Sequence, residues 1–386
     1  MAEPINQLCQ LRKYFGHDSC RCGVTGGIAK GFVASIRTVV LASISRLLGI
    51  LVSGTALTAG VTPALALTIT PYFDSTIVGA TNQTAVEGAI NNAISTIDGL
   101  YTNNATIGIV FTQANGSFLG QSETTDYFTS YSSYIGVLAS VSAAEPTNGV
   151  LATAVANLSK GNDANGAKQV AITSAGARAA LGQTSATGCF STTGAYVSSC
   201  GQLAYGVVTL TDNPGYALNY GTSAVAGAYS MIDAALHEID EILGGGGQGS
   251  MLNAVASNVS PYNGAVGTLD LYRYSAPNTP SFTTSGSATA YFSVDGGNTN
   301  IVGFNQSSGG DYADFITNTN VQSAFSSPGT VATYDSSSPE VAMMASLGYN
   351  ASFSGIYTTP EPASLAVLLG GLGGLHAMRR RKRAVE

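Results

Sequence analysis

The segment Met231-Ile232-Asp233-Ala234-Ala235-Leu236-His237-Glu238-Ile239-Asp240-Glu241-Ile242-Leu243, followed by Gly244-Gly245-Gly246-Gly247, decides how the rest of the chain reads. Extended back to Ala224, its apolar residues Val225, Tyr229, Ile232, Leu236, Ile239 and Leu243 recur with a 3.6-residue period. That spacing predicts a helix over 224–243 with this stripe in the core. His237 and Glu241, four apart, fall together on another stripe, about a third of a turn away at ~100° per residue. One side of the helix therefore packs, and another presents an imidazole and a carboxylate as a pair. The glycine run ends the helix, because glycine accepts a left-handed backbone and lets a second segment approach closely.

This pair has the spacing of a metal site. In the HExxH pattern, ligands at i and i+4 hold zinc, and the Glu beside the first activates the attacking water. Here the pattern is HExxE, with Glu241 in place of the second imidazole and Glu238 as the candidate general base. A carboxylate can ligate zinc at about 2.0–2.2 Å. Its extra negative charge makes the metal a weaker Lewis acid and favours a harder ion. The longer metzincin signature, HExxHxxGxxH, would put a third ligand at position 247, which is Gly247. Of the three histidines, His17 lies ahead of a secretory signal and His376 in a C-terminal apolar tail, so the third ligand must be Asp, Glu, Tyr or solvent. Downstream, Asp270, Tyr272 and Tyr274 fall in one short segment, and Asp311 and Asp314 in a glycine-rich one.

Both ends of the chain read as addresses. Lys30, Arg37 and Arg46, an apolar run from Leu47 to Ala59 and Ala64-Leu65-Ala66 have the order of a signal peptide, with cleavage expected after Ala66. Pro360-Glu361-Pro362, the apolar stretch Leu365–Ala377 and Arg379-Arg380-Arg381-Lys382-Arg383 are similar to the PEP-CTERM sorting signal of Gram-negative bacteria. The apolar stretch is shorter than the ~20 residues that span a bilayer. The resemblance implies export, a transient membrane association through the tail, and processing by an exosortase. Residues 67–359 would then be the working domain, at the cell surface, outer membrane or extracellular matrix.

The composition of that domain agrees with export. Its only basic side chains are Lys160, Lys168, Arg178 and Arg273 in a chain of net charge -7, which excludes nucleic acid as a natural partner. Cys189 and Cys200 are its only cysteines, and a disulfide between them is expected in an oxidising compartment. A zinc-thiolate site is the rival reading, but no histidine lies near and the spacing fits no common ligand pattern.

Elsewhere Val86, Ile90, Ile94 and Ile97 predict a helix over 84–100, and Ile107, Ile109 and Phe111 a strand. Ala204, Gly206, Val208 and Leu210 share one face of a second strand, closed by the turn Asp212-Asn213-Pro214-Gly215. The Ala-rich stretch 151–181 holds one or two short helices, and 113–150 has weak periodicity.

From Ala224 to Tyr349 the order of segments resembles a family of PEP-CTERM-anchored, zincin-like metalloproteases. The carrying motifs are His237-Glu238-Ile239-Asp240-Glu241-Ile242-Leu243-Gly244, Asp270-Leu271-Tyr272-Arg273-Tyr274-Ser275-Ala276-Pro277, Tyr291-Phe292-Ser293-Val294-Asp295-Gly296-Gly297, Phe304-Asn305-Gln306 with Gly309-Gly310-Asp311-Tyr312, and Leu347-Gly348-Tyr349. The resemblance implies an α+β zincin-like domain with an active-site helix and a mixed sheet. It implies zinc on His237 and Glu241, with Glu238 as general base, in a peptide hydrolase. We assign Asp270 as third ligand and Tyr272 as oxyanion stabiliser or further ligand; a salt bridge from Asp270 to Arg273 is the competing reading. Met343 and Met344 belong either under the metal, as in a Met-turn, or in plain core. Asp295-Gly296-Gly297 and Gly309-Gly310-Asp311 read as turns rather than calcium loops. The function expected is an exported zinc endopeptidase; the alternative is a non-catalytic matrix or adhesion protein on a degenerate zincin scaffold.

Overall fold

Ile107, Ile109 and Phe111 belong to a strand buried on both faces, around which the structure is organised. The structure is a computed structural model that describes residues 66–159, 169–183, 189–198, 204–256 and 264–351. Apart from its last residue, Ala66, the expected signal over residues 1–66 lies outside the described residues, as do the C-terminal tail and Cys200. The described residues form a mixed α+β arrangement with several sheets and seven α-helices. None of these helices is long and apolar enough to cross a membrane.

The main sheet starts with three parallel strands, β1 (Leu67–Phe73), β2 (Ala105–Ala114) and, much later in the chain, β8 (Ala204–Thr211). Ile107 sits opposite Ile69 on one side of β2, and Phe111 opposite Val208 on the other. Pro71 is accommodated because β1 pairs only with β2 among the described strands, and an edge strand can spare an N–H. β3 (Gly120–Thr124) runs antiparallel along the far side of β8, and β6 (Cys189–Phe190) joins β8 at its first residue and carries β7 (Tyr196–Val197). The connection between β1 and β2 is helix α1 (Gln83–Leu100), which buries Val86, Ile90, Ile94 and Ile97 as its spacing predicts.

Between β3 and β8 lie β4 (Asp126–Ser130), α2 (Tyr131–Ala144), α3 (Gly149–Leu158), β5 (Gln169–Thr173) and α4 (Ser174–Ala179). Ser130 and Asn148 cap α2 and α3 by accepting from Ser133 N and Leu151 N. β4 and β5 pair antiparallel, and β11 (Ala265–Gly267) joins β5 in parallel.

The helix expected over 224–243 is shorter at its start. β9 (Leu218–Asn219) pairs with β10 (Tyr229–Ser230), and α5 begins only at Met231 and runs to Ile242. Ser230 Oγ accepts from Asp233 N at 3.1 Å, a cap that fixes the start. Gly227, at φ 76°, breaks the periodicity before it, and Val225 is exposed. Within α5, Ile232, Leu236 and Ile239 are buried, as are Met231, Ala235 and Ile242. Burial of each large aliphatic side chain is worth roughly 1.5–3 kcal/mol. The helix packs on α1, β3 and β8. Gly244, at φ 103°, terminates it.

After α5 come α6 (Leu252–Ala256), a 3₁₀ turn over Leu269–Tyr272, and an antiparallel sheet of β12 (Arg273–Ala276), β13 (Thr279–Pro280), β14 (Tyr291–Phe292) and β15 (Val302–Gly303). The last helix, α7 (Pro339–Ser346), buries Met343 and Met344 completely. A Cβ at Gly245 would lie 2.9 Å from Met343 Cε and 3.2 Å from Met344 Sδ, so both methionines press on the turn that follows α5. Tyr349 closes the packing by donating to Leu243 O at 2.8 Å.

Candidate metal centre

His237 and, one turn earlier, Asp233 are the partly open residues of α5, whose other side chains are buried. The His237 Nδ1 lies 3.0 Å from Val321 O; a carbonyl can only accept, so Nδ1 carries the proton. Nε2 is thereby aimed the other way, 3.8 Å from Glu241 Oε1 and 3.5 Å from Asp314 Oδ2. One donor atom from each of His237, Glu241 and Asp314 can be chosen so that all lie within 4.8 Å of one another. A tetrahedral ion with bonds of about 2.1 Å needs ligand atoms about 3.4 Å apart. The three side chains therefore fit a divalent cation with little movement, and His237, Glu241 and Asp314 could hold a metal ion.

Neighbours hold the ligands in place. Glu241 accepts from Ser122 Oγ at 2.6 Å and from Gly247 N at 2.9 Å. Position 247 does face the site, as the longer signature anticipates. A Cβ there would overlap Asp311 Oδ2 and Glu241 Oε1, so glycine makes room for two carboxylates where a ligand side chain could have stood. Asp311 in turn accepts from Asn253 Nδ2, and Tyr312 N donates to Asn253 Oδ1 at 3.2 Å. Asp314 Oδ1 accepts from Gln322 Nε2 at 3.0 Å.

Four acids thus surround one imidazole. The cationic side chains among the described residues, Arg178 and Arg273, both make their contacts elsewhere. Burial pushes the Glu238 carboxyl well above its ordinary range, and the charge of Glu241 adds to this. Burial raises Glu241 too, followed by the charge of Asp314. Asp311 is likewise well above its ordinary range, through burial and then Glu241 and Asp314. Burial alone would lower the His237 imidazole, but Asp314, Glu238 and Glu241 outweigh it and hold it well above the usual value. The cluster calls for positive charge: a proton on His237 supplies one unit, a divalent ion two.

Glu238 lies next to the three ligands and under β3. A Cβ at Gly120 would lie 2.5 Å from Glu238 Oε1, so the strand passes directly over this carboxyl. β3 pairs with β8 alone among the described strands, and on its other edge Gln248 Nε2 donates to Ser122 O at 3.3 Å.

Asp270 and Tyr272 do not join this group. Asp270 accepts from Ser250 Oγ at 2.5 Å, Gly267 N at 2.7 Å and Met251 N at 2.9 Å, and so ties the loop after α5 to the 3₁₀ turn. Tyr272 is buried and donates to Ser346 O at 2.9 Å, away from the cluster. The salt-bridge reading of Asp270 is set aside as well, because Arg273 sends its guanidinium to Tyr312 O at 2.5 Å, Asn305 O at 3.2 Å and Gln306 Oε1 at 2.5 Å. Arg273 also stacks 4.8 Å from the centre of the Phe304 ring. Its work is to clamp the segment that presents Asp311 and Asp314. Asp314 takes the place proposed for Asp270, and its signal was Gly309-Gly310-Asp311-Tyr312-Ala313-Asp314, two acids in a turn-rich stretch.

The remaining expectations resolve locally. Asp295 forms a self-contained turn, accepting from Ser293 Oγ, Thr299 N and Thr299 Oγ at 2.8, 2.8 and 2.6 Å. Cys189 is disulfide-bonded, and Cys200, its expected partner, lies outside the described residues. Comparison with known protein families, curated proteins and solved structures finds no match.

Proposed function

We propose that this chain is an exported, metal-dependent endopeptidase of zincin-like design, with zinc held by His237, Glu241 and Asp314. The observation that carries the reading is the convergence of those three donors on one point, with a fourth acid, Glu238, beside them and beneath β3. An ion bound there supplies Lewis-acid polarisation of a scissile carbonyl and lowers the pKa of water. An extended peptide can add to the β3 edge as a further strand, which brings its carbonyls over α5. Glu238 takes a proton from the attacking water and returns it to the leaving amine. Positive charge among the ligands counters the burial and, after it, the repulsion from Glu241 that raise the Glu238 carboxyl. Ser122 and Gly247 N hold Glu241 in its ligand orientation. Export and tail processing by an exosortase complete the proposal, on the strength of the terminal sequences alone.

The first test is elemental analysis of the purified chain beside His237→Ala, with zinc offered. Near-stoichiometric metal in the wild type and none in the variant is the expected result. Glu238→Gln should then keep the metal and lose peptide hydrolysis by a factor of 10² or more. No metal in the wild type would sink the enzymatic reading and leave an exported matrix or adhesion protein.

A further inference from the structure

We propose that Gln322 is a fourth ligand of this site, offering its amide oxygen to the cation; the proposal rests on the metal reading above. The amide lies against two of the three ligands. Its Nε2 is 3.2 Å from His237 Nε2 and 3.0 Å from Asp314 Oδ1. Its Oε1 is buried and has no hydrogen-bond partner. A buried carbonyl with nothing to accept from is rare and calls for an explanation.

The backbone that presents this side chain is held from two sides. Gln322 N donates to Glu340 Oε1 at 3.0 Å, and Gln322 O accepts from Phe315 N at 2.7 Å, one residue after Asp314. The preceding carbonyl, Val321 O, is the one that orients His237. Residues 321 and 322 thus set the imidazole and place an amide in front of it. Opposite them, Gly246 has no side chain, and any Cβ there would collide with the Gln322 amide. The fit leaves room for this group and for little else.

A half turn about the last side-chain bond exchanges the two ends of the amide without moving anything else. The nitrogen end satisfies a carboxylate and an imidazole lone pair. It has no electron pair to give a metal, whereas the oxygen end does. With Oε1 turned inward, that oxygen, Asp314 Oδ1 and His237 Nε2 would converge as three electron-rich atoms. Such an arrangement is stable with a cation among them, either a metal ion or the Nε2 proton of a charged His237, which would donate to the amide oxygen. Metal titration separates the two. The charges also balance: Glu241 and Asp314 neutralise a divalent ion, and a neutral fourth donor adds no further charge to a cluster that already holds Glu238 and Asp311. A set of one nitrogen and three oxygens shifts preference toward harder ions such as Mn²⁺ relative to an all-histidine site.

The test is the affinity of the full chain for Zn²⁺ and for Mn²⁺, measured by competition with a chromophoric chelator, in the wild type and Gln322→Leu. A ligand role predicts affinity lower by about tenfold or more in the variant, with the larger loss for Mn²⁺. Unchanged affinity overturns the proposal, and so does tighter binding, which would make the amide an obstruction. Wild-type protein that binds neither ion overturns the site reading itself, a result distinct from a binding wild type with an indifferent variant. Should Gln322→Leu fail to fold, judged by metal-free circular dichroism, ¹⁵N-glutamine NMR of the wild type decides. The side-chain NH₂ pair absent from the Gln322→Glu spectrum should shift on Zn²⁺ saturation, and a stationary pair overturns the proposal.

Discussion

Asp270 and Asp314 are both buried carboxylates, and the difference between them is what their oxygens face. Asp270 has three donors on it, two of them backbone N–H groups, and its charge is used up inside a loop. Asp314 has one donor, the Gln322 amide, and turns its second oxygen toward His237 at 3.5 Å. Asp314→Asn should therefore lower cation affinity by more than tenfold while the metal-free chain melts normally. Asp270→Asn should do the reverse, costing about 1–3 kcal/mol of stability through broken buried hydrogen bonds and leaving affinity unchanged. Chelator competition and thermal unfolding on the same two variants check both halves; equal loss of affinity in the two would show that the ligand set is wrong. The distinction could not be read in the sequence. Both acids sit in short polar turns downstream of the helix, and spacing carries no information about which turn folds back on itself. His237, Glu238 and Glu241 were legible because one helix sets their geometry.

At the scale of elements, the same contrast recurs between α5 and β3. Helix α1 and the body of α5 declare themselves through apolar residues at a 3.6 period, and β8 through Ala204, Gly206, Val208 and Leu210 on one face. β3 is Gly120-Gln121-Ser122-Glu123-Thr124, with no large apolar side chain, so no periodicity marks it. It is held instead by its ladder to β8 and by its passage over α5. The start of α5 was misplaced for a related reason: Tyr229 continues the helical stripe, but Ser230 caps and Gly227 turns, and local backbone chemistry overrides the stripe. The strand's function in the proposed site hangs on its first residue. A methyl group at 120 must displace Glu238, whose atoms are the nearest to it. Gly120→Ala is expected to retain bound metal at wild-type stoichiometry and to lose peptide hydrolysis by roughly the factor seen for Glu238→Gln. Metal loss in this variant would place β3 in the ligand scaffold rather than over the general base.

For the whole molecule the decisive quantity is the imbalance of buried charge. Acidic side chains are enclosed throughout the domain, and few bases stand against them, so burial rather than pairing sets how they titrate. Burial lifts Asp98, half-buried and bonded to Ile69 N, to about 6 from an ordinary 3.8. It raises Asp233 and Asp270 in the same direction against the hydrogen bonds they accept. A carboxyl whose pKa is higher folded than unfolded keeps its proton longer in the native state, so native protein binds more protons between the two values. Stability from these groups is thus greatest at or below about pH 4 and declines as pH rises through about 6. Asp295 and Asp335 are shifted down and act oppositely, but their contribution is lost only as pH falls below about 3.8, outside this window. Measured with chelator present, the unfolding temperature should fall by a few degrees between pH 4 and pH 6, the reverse of ordinary acid denaturation. Asp98→Asn should flatten that slope, since an amide has no proton to lose. A melting temperature that climbs through the same interval would mean that pairing, not burial, governs these acids. The interior of this domain would then not be short of positive charge, and the electrostatic case for a cation at His237 would weaken with it.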